Sequence, residues 1–325
     1  MGRLPEGQSK MICQNDAVWQ SDAYPLKRRA FINALRRSSD GQFAVVIDFD
    51  RTITCASVDP RQECHGIMAT SPLGDAFREE YGDLLNFEKY SSVLPGKLQW
   101  PEHLLREKWW LYGHALLIKH RLRRSLIPPM VRNAGVRLRE GAKEFLHLLN
   151  EMRVPVLVVS AEVTDVISEV LQQHGCLYGN VTILSNECVW DEEGVLTSWW
   201  PESESDGGGG GMPMSSFTKH MAPKWAREFF ARPEAKRLLV IGDRPRDAHV
   251  VKGLSVDAVL KVGFYDFGHA KNEADDRFFA DYQKEYDVLL TQPRASFAWI
   301  TALVREVCVG GESDAALDEG RMAGA

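Results

Sequence analysis

From residue 138 onward the chain alternates between two apolar patterns. Short continuous runs at 154–159, 181–184, 189–190, 237–241, 256–262 and 286–290 predict buried strands. Between them, apolar residues recurring every three or four positions predict helices at 140–152, 164–174, 217–231, 246–252 and about 272–284. Gly175 is placed to stop the second of these helices, and residues 191–194 to turn a hairpin. The same alternation begins near the start of the chain. Residues 25–38 put Leu26, Ala30, Phe31, Ala34 and Leu35 on one helical face, Asp40-Gly41 breaks it, and residues 43–47 form an apolar run. Between about 70 and 137 only helical patterns appear, including a long one through Leu104, Trp109, Tyr112, Leu116, Leu117 and Lys119 that ends near Pro128-Pro129. This order predicts an α/β protein with a doubly wound, Rossmann-like parallel sheet over 23–54 and 138–310. A helical segment, 55–137, is inserted after the first strand. Residues 1–22 read as a loose arm, 201–213 with their five glycines as a flexible insertion, and 311–325 as a disordered tail.

Composition changes this picture little. The 325 residues are 44% hydrophobic and 26% charged, values typical of a globular protein. A net charge of −6 offers no basic footprint for nucleic acid. No apolar run approaches the roughly 20 residues that span a bilayer. The N-terminus lacks a signal-peptide core, and its Met1-Gly2 start fails the myristoylation pattern. The six cysteines are scattered without a CxxC pair, as in a reducing compartment. Cys55 and Cys64-His65 resemble half of a metal site, but no second half with ligand spacing follows. The expectation is a cytoplasmic monomer acting on a small molecule.

The chemistry gathers at strand ends. Asp48 and Asp50 follow the 43–47 run, Ser160 follows the next, and Asp243 follows the 237–241 run with Asp247 close behind. In an open parallel sheet such ends share one edge, where ligands bind. On an extended backbone Asp48 and Asp50 would share a face. A turn at Asp50 would instead aim them apart and bring a backbone carbonyl into the site. Converging carboxylates suit a hard cation such as Mg²⁺. With Lys219, that cation would neutralise a phosphate dianion facing a carboxylate nucleophile. Ser160, ahead of a helix, suits phosphate oxygens. Singly, each residue is as well explained as a helix cap or a solvated charge; their joint placement is the signal.

The set resembles the haloacid dehalogenase superfamily of phosphotransferases. Asp48-Phe49-Asp50-Arg51-Thr52 matches its first motif, Ser160-Ala161 the second, Lys219 the third, and Gly242-Asp243 with Asp247 the fourth. Within it the chain is similar to the cytosolic pyrimidine 5′-nucleotidases, through Cys64-His65, Gly113-His114-Ala115-Leu116-Leu117, Leu138-Arg139-Glu140-Gly141 and Thr218-Lys219-His220. The resemblance implies that Asp48 is the nucleophile and Asp50 the general acid and base. It implies Mg²⁺ held by Asp48, the Asp50 carbonyl and Asp243, with Ser160, Ala161 and Lys219 on the phosphate and Asp247 in support. The helical segment would be a cap closing over a nucleoside monophosphate. Pyrimidine nucleotides are the expected substrates, with 7-methyl-GMP or a sugar phosphate as alternatives and a catalytically weakened binding protein as another.

Three positions depart from the pattern. The fourth motif reads Gly242-Asp243-Arg244-Pro245-Arg246-Asp247, where Arg244 would crowd the metal or add charge near the phosphate. Gly113 stands where the family has a cap serine. Glu88 is the best candidate for the base-contacting glutamate, with Trp109 and Trp110 as stacking partners.

Overall fold

A computed structural model describes residues 18–38, 42–56, 59, 62–85, 102–201, 213–266 and 273–313. The described residues open with strand β1 (Val18–Gln20) and helix α1 (Tyr24–Arg37), then β2 (Ala44–Ile47). Among the described residues four α-helices follow: α2 (Cys64–Ala69), α3 (Asp75–Leu85), α4 (Glu102–Lys119) and α5 (Ile127–Ala134). Next come α6 (Ala142–Glu151), β3 (Val156–Val163), α7 (Thr164–Gln173), β4 (Val181–Trp190) and β5 (Leu196–Trp200). Short turns α8 (Ala222–Trp225) and α9 (Arg227–Phe230) precede β6 (Arg237–Gly242), β7 (Ala258–Phe264), α10 (Glu273–Glu285), β8 (Val288–Leu290) and α11 (Ala298–Ser313).

The eight strands form one sheet in the order β1-β8-β7-β6-β2-β3-β4-β5. All neighbours are parallel except the two edge pairs, β1 with β8 and β4 with β5. The order explains the continuous apolar runs, because central parallel strands are covered on both faces. In β2, Val45 and Ile47 enter one hydrophobic cluster with Val156, Val158, Leu239 and Ile241. Ala44 and Val46 enter the opposite cluster with Leu157, Val159, Leu238 and Val240. The inserted helical segment joins the first cluster through Ile67, Met68, Phe77, Leu116 and Leu117. Its two connections to the sheet run side by side. Thr54 pairs with Leu138, Cys55 N donates to Arg137 O at 2.8 Å, and Arg139 N donates to Ile53 O at 2.8 Å.

Several elements differ from the sequence expectation. Strand β3 does not stop at Ser160 but continues through a bulge to Val163. The two short strands expected at 181–184 and 189–190 are one, because Asn186 places its polar side chain on backbone partners instead of ending the strand. The helix expected at 217–231 is broken into a 3₁₀ turn at Lys219–Met221 and the two short turns α8 and α9, with Ala226 off helical geometry. The expected 246–252 helix is a 3₁₀ segment, Pro245–Val251. The long helix ends at Lys119, and Pro128-Pro129 start α5, where missing N–H groups cost nothing. Residues 18–20, assigned to the loose arm, form an edge strand in which Trp19 packs against Phe279. The tail expected from 311 is helical as far as Ser313. Insertion residues 202–212 lie outside the described residues.

Candidate active site

Strand β2 lies between β3 and β6, and Ile47 pairs with both Val158 and Ile241. Asp48 N still donates to Ile241 O at 3.0 Å, so the nucleophile candidate sits at the last rung of the ladder. The chain then turns. Asp50 (φ −67°, ψ 131°) and Arg51 (φ 64°, ψ −1°) have the dihedrals of the two central residues of a type II turn. The second of those positions is left-handed and ordinarily taken by glycine; an arginine there costs about 1–2 kcal/mol. The turn decides the open question between the two carboxylates, which point to different partners. Asp48 Oδ1 accepts from Lys219 Nζ, and its Oδ2 accepts from Thr52 Oγ1 at 3.0 Å. Asp50 Oδ2 accepts from Cys64 N at 3.2 Å.

The Lys219 turn and the loop after β6 converge on Asp48. Lys219 Nζ also donates to Asp247 Oδ1 at 2.7 Å, so one ammonium bridges two carboxylates. Asp247 Oδ2 accepts from the backbone N–H of Asp243 at 3.0 Å and of Arg244 at 2.8 Å, which closes the loop after β6. Tyr282 Oη donates to Asp243 O at 2.8 Å, and Tyr286 Oη to Arg244 O at 2.5 Å. Gly242 is required here, since an added Cβ would overlap Asp247 and lie 2.6 Å from its Oδ2. Gly242→Ala is therefore expected to lower kcat/KM by about tenfold or more, by pushing Asp247 off the lysine. Phosphate-release kinetics check this, and an unchanged kcat/KM would show that the loop tolerates the shift.

Asp48, Asp243 and Asp247 offer carboxylate oxygens all within 4.8 Å of one another, and all three side chains are buried. Burial pushes the Asp48 carboxyl up to about 6, against the pull of Lys219. It also pushes Asp243 well above the carboxylate range, with Asp247 and Asp48 adding to the rise. Burial works against the Lys219 ammonium too, but Asp247 and Asp48 outweigh it and hold the proton on more firmly. All these shifts report an excess of buried negative charge, a donor set that fits a hard divalent cation. Arg244, the departure in the fourth motif, places Nε 3.5 Å from Asp243 Oδ2, and Arg51 Nε is 3.3 Å from the same oxygen.

Ser160 is buried in the β3 bulge, where its Oγ accepts from Glu162 N at 3.3 Å. Asn186 ties this bulge to the segment leading to Lys219, donating to Ala161 O at 2.6 Å and to Met214 O at 2.9 Å. On the far side of the Asp50 turn lies a second group that the sequence reading missed. Glu162 Oε2 is 2.5 Å from His65 Nδ1, and oxygens of Asp50 and Glu162 lie within 4.8 Å of each other and of Cys64 Sγ. Burial, then Glu162, Glu63 and Asp48, raises Asp50 well above the carboxylate range, and burial does the same to Glu162. Burial pushes His65 down to about 3, so its imidazole is neutral near pH 7. Glu162 directly follows the second motif and His65 belongs to the Cys64-His65 string, which were their only signals.

Trp109 stacks on His65 with ring centroids 4.6 Å apart and donates from Nε1 to Leu84 O at 2.6 Å. Trp110 meets the same imidazole edge-on. Gly113 lies on α4 where an added Cβ would approach Leu84 Cδ2 to 3.0 Å, so the absent serine leaves room for that leucine. Glu88 lies outside the described residues.

A doubly wound sheet with an Asp-x-Asp turn, a bridging lysine and a second acidic loop at its carboxyl edge defines a phosphatase of the haloacid dehalogenase type. Residues 54–308 match the pyrimidine 5′-nucleotidase (UMPH-1) family, and the chain belongs to it. It is accordingly a 5′-nucleotidase, a phosphoric monoester hydrolase. Similar proteins include the 7-methylguanosine phosphate-specific 5′-nucleotidase of Gallus gallus, 24% identical over 82% of this chain and 88% of that protein. The enzyme of the same name from Homo sapiens is also 24% identical, over 82% and 85%. A crystal structure of cytosolic 5′-nucleotidase IIIB bound to cytidine shares the fold, with a TM-score of 0.71, 21% identity, and coverage of 96% and 99%. No helix among the described residues is long and apolar enough to cross a membrane.

Proposed function

We propose that this chain hydrolyses pyrimidine nucleoside 5′-monophosphates to nucleoside and phosphate through an aspartyl-phosphate on Asp48. The observation that carries the reading is the Lys219 bridge between Asp48 and Asp247, with the Asp50 carboxyl turned away to the opposite side. An Asp48 oxygen attacks phosphorus, and the bond from phosphorus to the nucleoside O5′ breaks. Asp50, whose protonated form is favoured by burial and by Glu162, gives its proton to O5′. Asp50 then takes a proton from water as that water attacks the phosphoenzyme, which returns Asp48 and releases phosphate. Lys219, Ser160 and the Ala161 backbone hold the phosphate oxygens. Asp48, the Asp50 carbonyl and Asp243 would hold Mg²⁺, which supplies positive charge against the phosphate when bound. The helical segment 55–137 acts as the cap, with Trp109 and Glu88 as the residues that select the base.

A second reading, 7-methyl-GMP as substrate, is favoured by the names of the similar enzymes. Phosphate release from CMP, UMP, AMP, GMP, 7-methyl-GMP and a sugar phosphate, with Mg²⁺ and with EDTA, separates the two. Metal-dependent turnover that favours CMP and UMP is the expected result; turnover confined to 7-methyl-GMP or a sugar phosphate would move the substrate and keep the chemistry. Trp109→Ala is expected to change the ratio of kcat/KM between the two base types by about tenfold, since base stacking contributes about 1–3 kcal/mol. A loss of thermal stability at a constant ratio would make Trp109 packing only.

A further inference from the structure

Arg139 is buried to 2% exposure and spends its guanidinium entirely inside the protein. Nε donates to Thr52 O at 3.1 Å, and one terminal nitrogen donates to Ala295 O at 2.8 Å and Asp266 Oδ1 at 3.1 Å. The other donates to Arg51 O and to Asp266 Oδ2, the latter at 2.7 Å. These five contacts equal the five N–H groups that an arginine has. Its flat face lies 3.9 Å from the centroid of the Phe264 ring. Such a group is more than a buried ion pair, because two of its acceptors are carbonyls of the turn after Asp50, and one of those belongs to the left-handed Arg51.

We infer that Arg139 is a positioning residue for the two reacting carboxylates: by holding the Arg51 and Thr52 carbonyls it keeps the strained turn closed, and so keeps Asp48 aimed at Lys219 and Asp50 aimed away. A lysine or a hydrophobic residue cannot replace it, since neither reaches two successive carbonyls and a carboxylate from one planar group. The same fork ties the turn to Asp266 after β7 and to Ala295 before α11. The part of the inference that concerns turnover rests on the roles proposed above for Asp48 and Asp50.

The test compares Arg139→Met, Arg139→Lys and Asp266→Asn in the full chain. Asp266→Asn removes the charge partner and leaves the carbonyl contacts. The readouts are phosphate-release kinetics on the nucleotide that the unaltered protein turns over fastest, thermal melting, and amide hydrogen exchange of segment 49–54. Arg139→Met is expected to lower kcat by about a hundredfold with KM within about threefold, as misplaced reacting groups do. Arg139→Lys should fall between Arg139→Met and the unaltered protein. Exchange in 49–54 should quicken by about tenfold or more in Arg139→Met while β4 stays protected. Asp266→Asn should lose thermal stability yet keep kcat within about threefold. If kcat instead falls in step with melting temperature across all three variants, or exchange in 49–54 is unaltered, the assignment is overturned. Should Arg139→Met not fold, Arg139→Lys against Asp266→Asn decides by the same criteria. Exchange does not depend on turnover, so a protein that releases no phosphate would refute the proposed chemistry and leave the holding of the turn tested on its own.

Discussion

Asp48→Asn is expected to abolish phosphate release, with kcat down by at least about a thousandfold, in a protein as stable as the original. The loss follows from chemistry, since an amide cannot form the acyl-phosphate bond. The retained stability follows from the surroundings of the side chain. The amide oxygen still accepts from Lys219, and the amide N–H₂ turns to Thr52, whose hydroxyl then accepts instead of donating. The charge that disappears is one that the fold disfavours. A carboxyl raised from 3.8 to about 6 by burial makes its contribution to stability below pH 4 and loses it as pH rises through 6. At pH 7.5 the neutral amide escapes that penalty, so the melting temperature should hold or rise. Turnover that survives the change would place the nucleophile elsewhere.

Lys219→Met should move stability in the opposite direction. It strips the ammonium from Asp48 and Asp247, which sit within reach of Asp243 in a buried cluster. Removing one partner of a buried ion pair costs about 3–5 kcal/mol, because the remaining charge has no partner. The activity loss should exceed about a hundredfold in kcat/KM, since the phosphate also loses a cation. The stability loss has a signature in pH. Without the lysine, which pulls it down, the Asp48 carboxyl pKa climbs further, and a group whose folded pKa is raised stabilises toward acid. The difference in melting temperature between Lys219→Met and the unaltered protein should therefore shrink from pH 7.5 to pH 5.5. A constant difference would mean that Lys219 is not the counterion of this cluster.

The central strands were readable because a parallel strand covered on both faces has no polar position to interrupt it. Their last apolar residue then marks where Asp48, Ser160 and Asp243 must stand. Where a strand carries the site's own polar groups, the same rule misleads. Strand β3 runs on through Ser160 and Glu162 because a bulge turns those residues toward partners, and β4 runs on through Asn186 because its amide closes a loop. The helix drawn through Lys219 is broken for a related reason. A lysine that must face the interior cannot sit on the polar side of an amphipathic helix, and a 3₁₀ turn delivers it inward. The divergence of Asp48 and Asp50 was left open by spacing alone, because a type II turn with arginine at its left-handed position has no local signature. The roles of Arg139, Glu162 and His65 stayed hidden because the partners of their side-chain hydrogen bonds are 87 or more residues away in sequence.

The side-by-side connections at Thr54 and Leu138 place the helical segment and the Asp50 turn mechanically in series. Residues 53–55 and 137–139 form a two-ply strap, with a hydrogen bond at each end and a bridge between. At one end of that strap Arg139 N–H meets Ile53 O, next to Thr54, whose N–H donates to Phe49 O across the Asp50 turn, and the Arg139 guanidinium grips the turn's carbonyls. A displacement at Cys55 or Arg137 is carried by these hydrogen bonds to Ile53, two residues from Arg51, and to Arg139, whose guanidinium holds the Arg51 carbonyl. On the roles proposed above, a helical segment closing over a ligand would act on the backbone dihedrals that aim Asp50, and binding and proton delivery would share one lever.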